Sequence, residues 1–166
     1  MSQLRSRLMP LVQVMCSLAL LVHVLPGSAL AADDKDRDEA ALVGTWRDSI
    51  VFPGLPIEFF EVVAFHEDGT LTERFGSGPG LSAGIGVWKK VGRGTFAVTL
   101  ENFEDTNHDG TFDVRYRIRA TYHVVDRDTV TGTATSDTFS VDGTTQIGPS
   151  FPGITFQGTR MRVIPE

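Results

Sequence analysis

The segment Asp105-Thr106-Asn107-His108-Asp109-Gly110-Thr111-Phe112-Asp113 carries oxygen donors at a spacing that suits a metal ion. Asp105, Asn107, Asp109 and Asp113 stand at positions 1, 3, 5 and 9, with glycine at position 6, as in the first part of a calcium loop. Position 12, where such a loop places a bidentate glutamate, is Tyr116. That absence removes two of the ~6–8 oxygens calcium takes. The same residues suit a polar hairpin loop in which Asp and Asn cap their own turn. The expectation is therefore a self-capped loop and no cofactor, with a weak calcium site as the alternative.

Other chemistry is sparse. His66, His108 and His123 lie on three separate segments and do not make a zinc or haem site. Gly76-Ser77-Gly78-Pro79-Gly80 begins like a phosphate-cradling loop, but the next glycine of that pattern falls on Leu81 and no helix follows. No Ser/His/Asp set stands in a recognisable context, so no catalytic residue is assigned. Asp48 shares a face with Trp46, Ile50 and Phe52, and is expected inside the fold near its mouth. Together with Glu58 and Glu61 it forms the set of acids able to move a proton on a buried substrate. Arg115, Arg117 and Arg119 form a row that reads as a solvated outer face paired with acids such as Glu101 or Asp137.

The elements that position these residues are strands. Asp68-Gly69-Thr70, Asp109-Gly110-Thr111 and Asp142-Gly143-Thr144 repeat one tripeptide beside stretches of alternating apolar and polar residues. Asp-Gly accepts positive φ cheaply, so each copy marks a tight reversal between antiparallel strands, and Arg93-Gly94-Thr95 adds a fourth. Eight strands follow, at about 43–52, 57–66, 70–75, 84–91, 95–104, 111–125, 128–141 and 153–164. The sixth shows the clearest period of two. Phe112, Val114, Tyr116, Ile118, Ala120, Tyr122 and Val124 alternate with Asp113, Arg115, Arg117, Arg119, Thr121 and His123. The second strand is apolar on both faces. No stretch after the N-terminal segment has a helical period.

Alternate loops of a meander fall at the same end. The loops 66–69, 92–94 and 126–128 are tight, whereas 53–56, 76–83, 105–110 and 142–152 are mostly longer and rich in glycine and proline. The prediction is an all-β, eight-stranded antiparallel up-and-down barrel, shut by hairpins at one end and open among longer loops at the other.

At this point the chain resembles a family. Gly44-Thr45-Trp46 opens the first strand as the Gly-x-Trp signature opens lipocalins and related calycins, over residues 42 to 164. It departs from them in having no Thr-Asp-Tyr motif, no helix after the last strand and no disulfide. The resemblance implies a bacterial secreted, lipocalin-like barrel whose Trp46 plugs the closed end under a basic residue of the last strand, Arg160 or Arg162. It also implies an interior able to hold a small apolar molecule without catalysis. Asp48, Phe52, Phe59, Phe96, Phe112, Tyr116, Phe151 and Phe156 are the residues expected at its mouth and interior. A calycin-type cyclase or isomerase, and a packed barrel that binds a partner through its loops, are the alternatives.

The N-terminal segment supports export. Arg5 and Arg7 precede an apolar run from Leu8 to Leu25, and Ala29-Leu30-Ala31 supplies a small-x-small end. This reads as a secretory signal peptide over 1–31, followed by a charged tether over 32–41 and the barrel domain over 42–166. Cleavage would leave 135 residues with no thiol, because the single cysteine is Cys16, and 13 basic residues against 21 acidic ones. A protein without disulfides in the periplasm or outside the cell must rely on its core. An acidic surface offers no footprint for nucleic acid, and no membrane insertion is expected after cleavage.

Overall fold

A computed structural model describes residues 41–76 and 80–165. The expected signal peptide, most of the tether and the tip of the 76–83 loop lie outside them. Eight strands run β1 (Gly44–Val51), β2 (Glu58–Phe65), β3 (Thr70–Phe75), β4 (Gly84–Gly92), β5 (Thr95–Glu104), β6 (Val114–Val124), β7 (Thr129–Ser140) and β8 (Phe151–Arg160). Each pairs antiparallel with its sequence neighbours, and β1 also pairs with β8, so the sheet closes into an up-and-down barrel. Closure leaves no strand edge exposed.

The repeated tripeptides have one local cause. Asp68, Asp109 and Asp142 each accept a hydrogen bond at Oδ1 from the backbone N–H two residues on, at 2.9, 2.9 and 3.0 Å. The intervening glycine takes positive φ in every copy, +82° at Gly69 and +72° at Gly143, where a side chain would be strained. Only the Asp68 copy runs directly into a strand, at Thr70, and the Asp142 copy follows β7 after one residue. The Asp109 copy sits inside a longer loop, so β6 begins at Val114 rather than at 111.

Alternation along the strands sorts the barrel into an inside and an outside. Trp46, Val63, Phe65, Leu71, Phe96, Val98, Leu100, Tyr122, Val130, Ile154 and Phe156 form the buried core. The arginine row lies outside, with Arg115 and Arg117 on Glu101 at 3.3 and 2.8 Å and Arg119 on Asp137 at 2.7 Å. On β2 the two-sided apolar pattern resolves into inward Phe59, Val63 and Phe65 and outward Phe60 and Val62, which stay exposed. The last strand spans 151–160 rather than 153–164. It reaches back to Phe151 because an irregularity between Ala134 and Ser136 lets Phe151 pair with Ser136.

Trp46 seals the hairpin end. It has no exposed surface, its indole Nε1 donates to Leu42 O at 2.8 Å, and the Arg160 guanidinium lies 4.2 Å from its ring centroid. Arg160 also donates to the carbonyls of Ala41, Val43 and Arg127, tying the lead-in chain and a hairpin across the barrel base. Arg162 does not reach the ring. The strand has ended by then, and its exposed guanidinium pairs with Asp128. A second tryptophan, Trp88, completes this layer against Phe65 and Phe96 and donates to the carbonyls of His66 and Thr70.

Candidate functional site

Above that plug the interior is not filled. A cavity of about 300 Å³ opens toward the longer loops, at the small end of the range of small-molecule sites. Its walls are mainly apolar, from Ile50, Phe52, Phe75, Leu100, Ile118, Ala120, Ala134, Ile154 and Phe156. Small residues make the space, because Ala120 and Ala134 face one another across β6 and β7 where larger side chains would meet.

Polar groups from five strands interrupt these apolar walls. Glu61 and Glu73 line it with Asn102, Glu104, Tyr116, Tyr122 and Ser136. Glu61 stands directly opposite Asp48 on the β1–β2 pair, and both carboxyls point inward. Asp48 has no exposed surface and accepts a hydrogen bond at Oδ2 from the Tyr122 hydroxyl at 2.9 Å. Its Oδ1 has no partner. Glu73 is 3% exposed and Asn102 is 5% exposed, yet neither Glu73 carboxyl oxygen nor the Asn102 Oδ1 has a hydrogen-bond partner. Nearer the mouth, Tyr116 donates its hydroxyl to Glu104 Oε2 at 2.6 Å.

Two glycines seat these acids. A Cβ on Gly158, opposite Asp48, would lie 2.1 Å from Asp48 Oδ1. A Cβ on Gly84, opposite Glu73, would lie 2.3 Å from Glu73 Oε2.

The electrostatics follow from burial. Desolvation pushes Asp48 up to about 6, with the Tyr122 hydroxyl and Glu61 opposing the rise. Desolvation pushes Glu61 well above the carboxylate range, and the charges of Asp48 and Glu73 push it further. Two adjacent carboxyls in a low-dielectric site cannot both ionise cheaply, so Glu61 holds the pair's proton while Asp48 ionises first. Burial raises Glu73 to about 7, opposed by the nearby Asn102 amide, the Gly84 backbone and Arg74. The Tyr122 hydroxyl is raised well above its ordinary value by burial and by the surrounding acids, so it acts as a donor.

The structure distributes the sequence-derived residues unevenly. Phe52, Tyr116 and Phe156 line the cavity. Phe59 packs behind the wall, 5.2 Å from Phe52 and 5.7 Å from Phe75 between ring centroids. Phe151 is exposed against Phe52 at 5.8 Å, forming part of the mouth. Asp48 is inside but not near the mouth, because its partners on β2 and β8 hold it below the cavity floor. Phe96 belongs to the closed-end layer with Trp88. Phe112 is 48% exposed and stacks on Phe103 at the loop, since β6 starts two residues after it. Glu58 is exposed on the outer wall and accepts from Ser49.

The calcium-like loop closes on itself. Asp105 accepts from the N–H groups of Asp109 and Gly110, Asn107 from Asp109, Asp109 from Thr111, and Asp113 from Thr106 and Asn107. Among the described residues no group of three or more His, Cys, Asp or Glu side chains is placed to hold a metal ion.

Glu73 and Asn102 were not singled out from sequence. The signal for Glu73 is its place between Leu71 and Phe75 on the apolar side of β3, where period-two alternation puts it inside. Asn102 lies on the same side as Val98 and Leu100 of β5.

No protein-family model and no curated protein matches this chain. Among solved structures it is similar to the crystal structure of pallilysin from Treponema pallidum, with 15% identity and a TM-score of 0.40 over 81% of this chain and 92% of that one. That likeness carries no functional argument. The barrel stands on its own strand topology, and the lipocalin resemblance remains one of Gly-x-Trp signature, strand number and loop pattern.

Proposed function

We propose that the barrel binds one small, largely apolar molecule in its interior, entering between the longer loops, and that it does so outside the cytoplasm. The single observation that carries this reading is the cavity of about 300 Å³ with mainly apolar walls above a sealed base. Affinity would come from burying ligand surface against Ile118, Ile154, Phe75 and Phe156, with the polar groups fixing orientation. The test is a titration of the purified chain with the neutral fluorophore N-phenylnaphthylamine. One-site saturation in the native protein, lost when Ala134→Trp fills the cavity, is the expected result. Equal binding by both proteins would place the probe elsewhere and overturn the reading.

Export is part of the proposal and rests on Arg5, Arg7, the apolar run and Ala29-Leu30-Ala31. Mass spectrometry of the chain recovered from an extracytoplasmic fraction should find it beginning at Ala32.

One observation favours a second reading, proton transfer on the bound molecule. Glu73 faces the cavity with a pKa of about 7, the value that suits a general acid or base. Chemical change of a bound unsaturated ligand, lost in Glu73→Gln with binding retained, would support catalysis. Recovery of the ligand unaltered by wild-type protein would count against it.

A further inference from the structure

The cavity holds buried acceptors that the Asn102 amide and the Gly84 N–H approach without completing a hydrogen bond. Both carboxyl oxygens of Glu73 and the Oδ1 of Asn102 lack partners, although both side chains are more than nine-tenths buried and line the space. A buried acceptor left without a donor costs about 1–3 kcal/mol, and more when charged. Among the described residues that line the cavity there is no Lys, Arg or His. The Tyr116 and Tyr122 hydroxyls that line it are committed to Glu104 and Asp48, so a ligand that carries donors would complete these acceptors.

The charge balance points the same way. The titratable groups facing the interior are Asp48 on β1, Glu61 on β2, Glu73 on β3, Glu104 on β5, and Tyr116 and Tyr122 on β6. Arg74, whose charge reaches Glu73, donates to the Leu81 carbonyl instead, and Lys90 stands at a register position opposite Phe96 near the hairpin end. A carboxylate ligand would add a negative charge and bring no donor. A neutral alcohol would bring one donor. A protonated amine brings up to three donors and the opposite charge.

We infer that the cavity takes an amphiphilic amine, its ammonium group set among Glu61, Glu73 and Asn102 and its apolar body against the upper wall. This rests on the cavity-binding reading above and adds the ligand's head group to it. Because the ammonium favours ionised acids, its binding expels protons from the site.

The test compares three ligands with one body, phenylpropylamine, phenylpropanol and phenylpropanoate, by calorimetry on the wild-type protein at pH 6.5. The amine should bind at least about tenfold more tightly than the alcohol, and the carboxylate should bind more weakly than either. Repeating the amine titration in buffers of different ionisation enthalpy should reveal net proton release. Glu73→Gln should bring the amine and alcohol affinities to within about threefold of one another, and Glu61→Gln serves if that variant does not fold. Alcohol binding equal to or tighter than amine binding overturns the inference and leaves the cavity reading standing. So does naphthylamine-probe binding with no member of the series bound. Failure of every ligand, the neutral probe included, removes both.

Discussion

Gly158 stands opposite Asp48 on the β1–β8 pair, and a methyl group there would come within 2.1 Å of Asp48 Oδ1 and 2.6 Å of Val130 Cγ2. The glycine is required by space, since its φ is not in the left-handed region. Gly158→Ala should cost about 1–3 kcal/mol through overpacking beside a buried acid. Gly148→Ala, where nothing lies within 4 Å, should stay within about 0.5 kcal/mol of wild type. Urea unfolding of the two variants side by side checks the contrast.

Tyr122→Phe removes the hydrogen bond that holds Asp48 from 74 positions away in the chain. Asp48 then keeps only the Glu61 carboxyl as a donor, and losing the tyrosine hydroxyl should cost about 1–3 kcal/mol. Because that hydroxyl opposes the effect of burial, the Asp48 pKa should rise further above about 6. A carboxyl-carbon NMR titration reads the direction, and an unchanged Asp48 pKa would contradict the assignment.

Stability should fall as pH rises through neutrality. Asp48 and Glu73 hold their protons in the folded chain to about 6 and about 7, whereas the unfolded chain releases them near 4. Over that window the unfolded state binds fewer protons, so unfolding free energy decreases with pH. The contribution is complete below about pH 4 and is lost as pH passes 6 and then 7. Asp109, Asp137 and Asp142, lowered by hydrogen bonds from Thr111, Ser150 and Ser140, act with the opposite sign and only at the acid end. Urea unfolding should therefore show a drop on the order of 2–4 kcal/mol from pH 5 to pH 8. Glu73→Gln should flatten that slope by about one proton.

Arg160→Lys tests the plug. The guanidinium serves three backbone carbonyls and the Trp46 face at once, which a single ammonium cannot do. The variant should lose about 1–3 kcal/mol. Arg162→Lys, altering an exposed pair with Asp128, should lose less than about 1 kcal/mol. Denaturation followed by tryptophan fluorescence separates the two.

Local chemistry made the fold legible. Asp-Gly-Thr specifies the same turn wherever it occurs, because the aspartate oxygen and the amide two residues on need nothing distant. Period-two alternation then assigns each strand its inner face, as on β6, where Tyr116, Ile118, Ala120 and Tyr122 all reach the cavity. The same rule places Glu73 and Asn102 inside, but a polar residue on an apolar face carries no mark of what surrounds it. Phe112 shows the converse error, since the period continues past the point where pairing stops.

Sequence alone determined the barrel, its eight strands and which end carries the long loops, because turns and alternation act between near neighbours. Only closure of β1 onto β8 and β2 decided that Asp48 meets Glu61, Gly158 and Tyr122. The empty space above them was decided there as well. Burial of the acids, and hence their retained protons, depends on atoms brought together from seven strands, which no local pattern encodes.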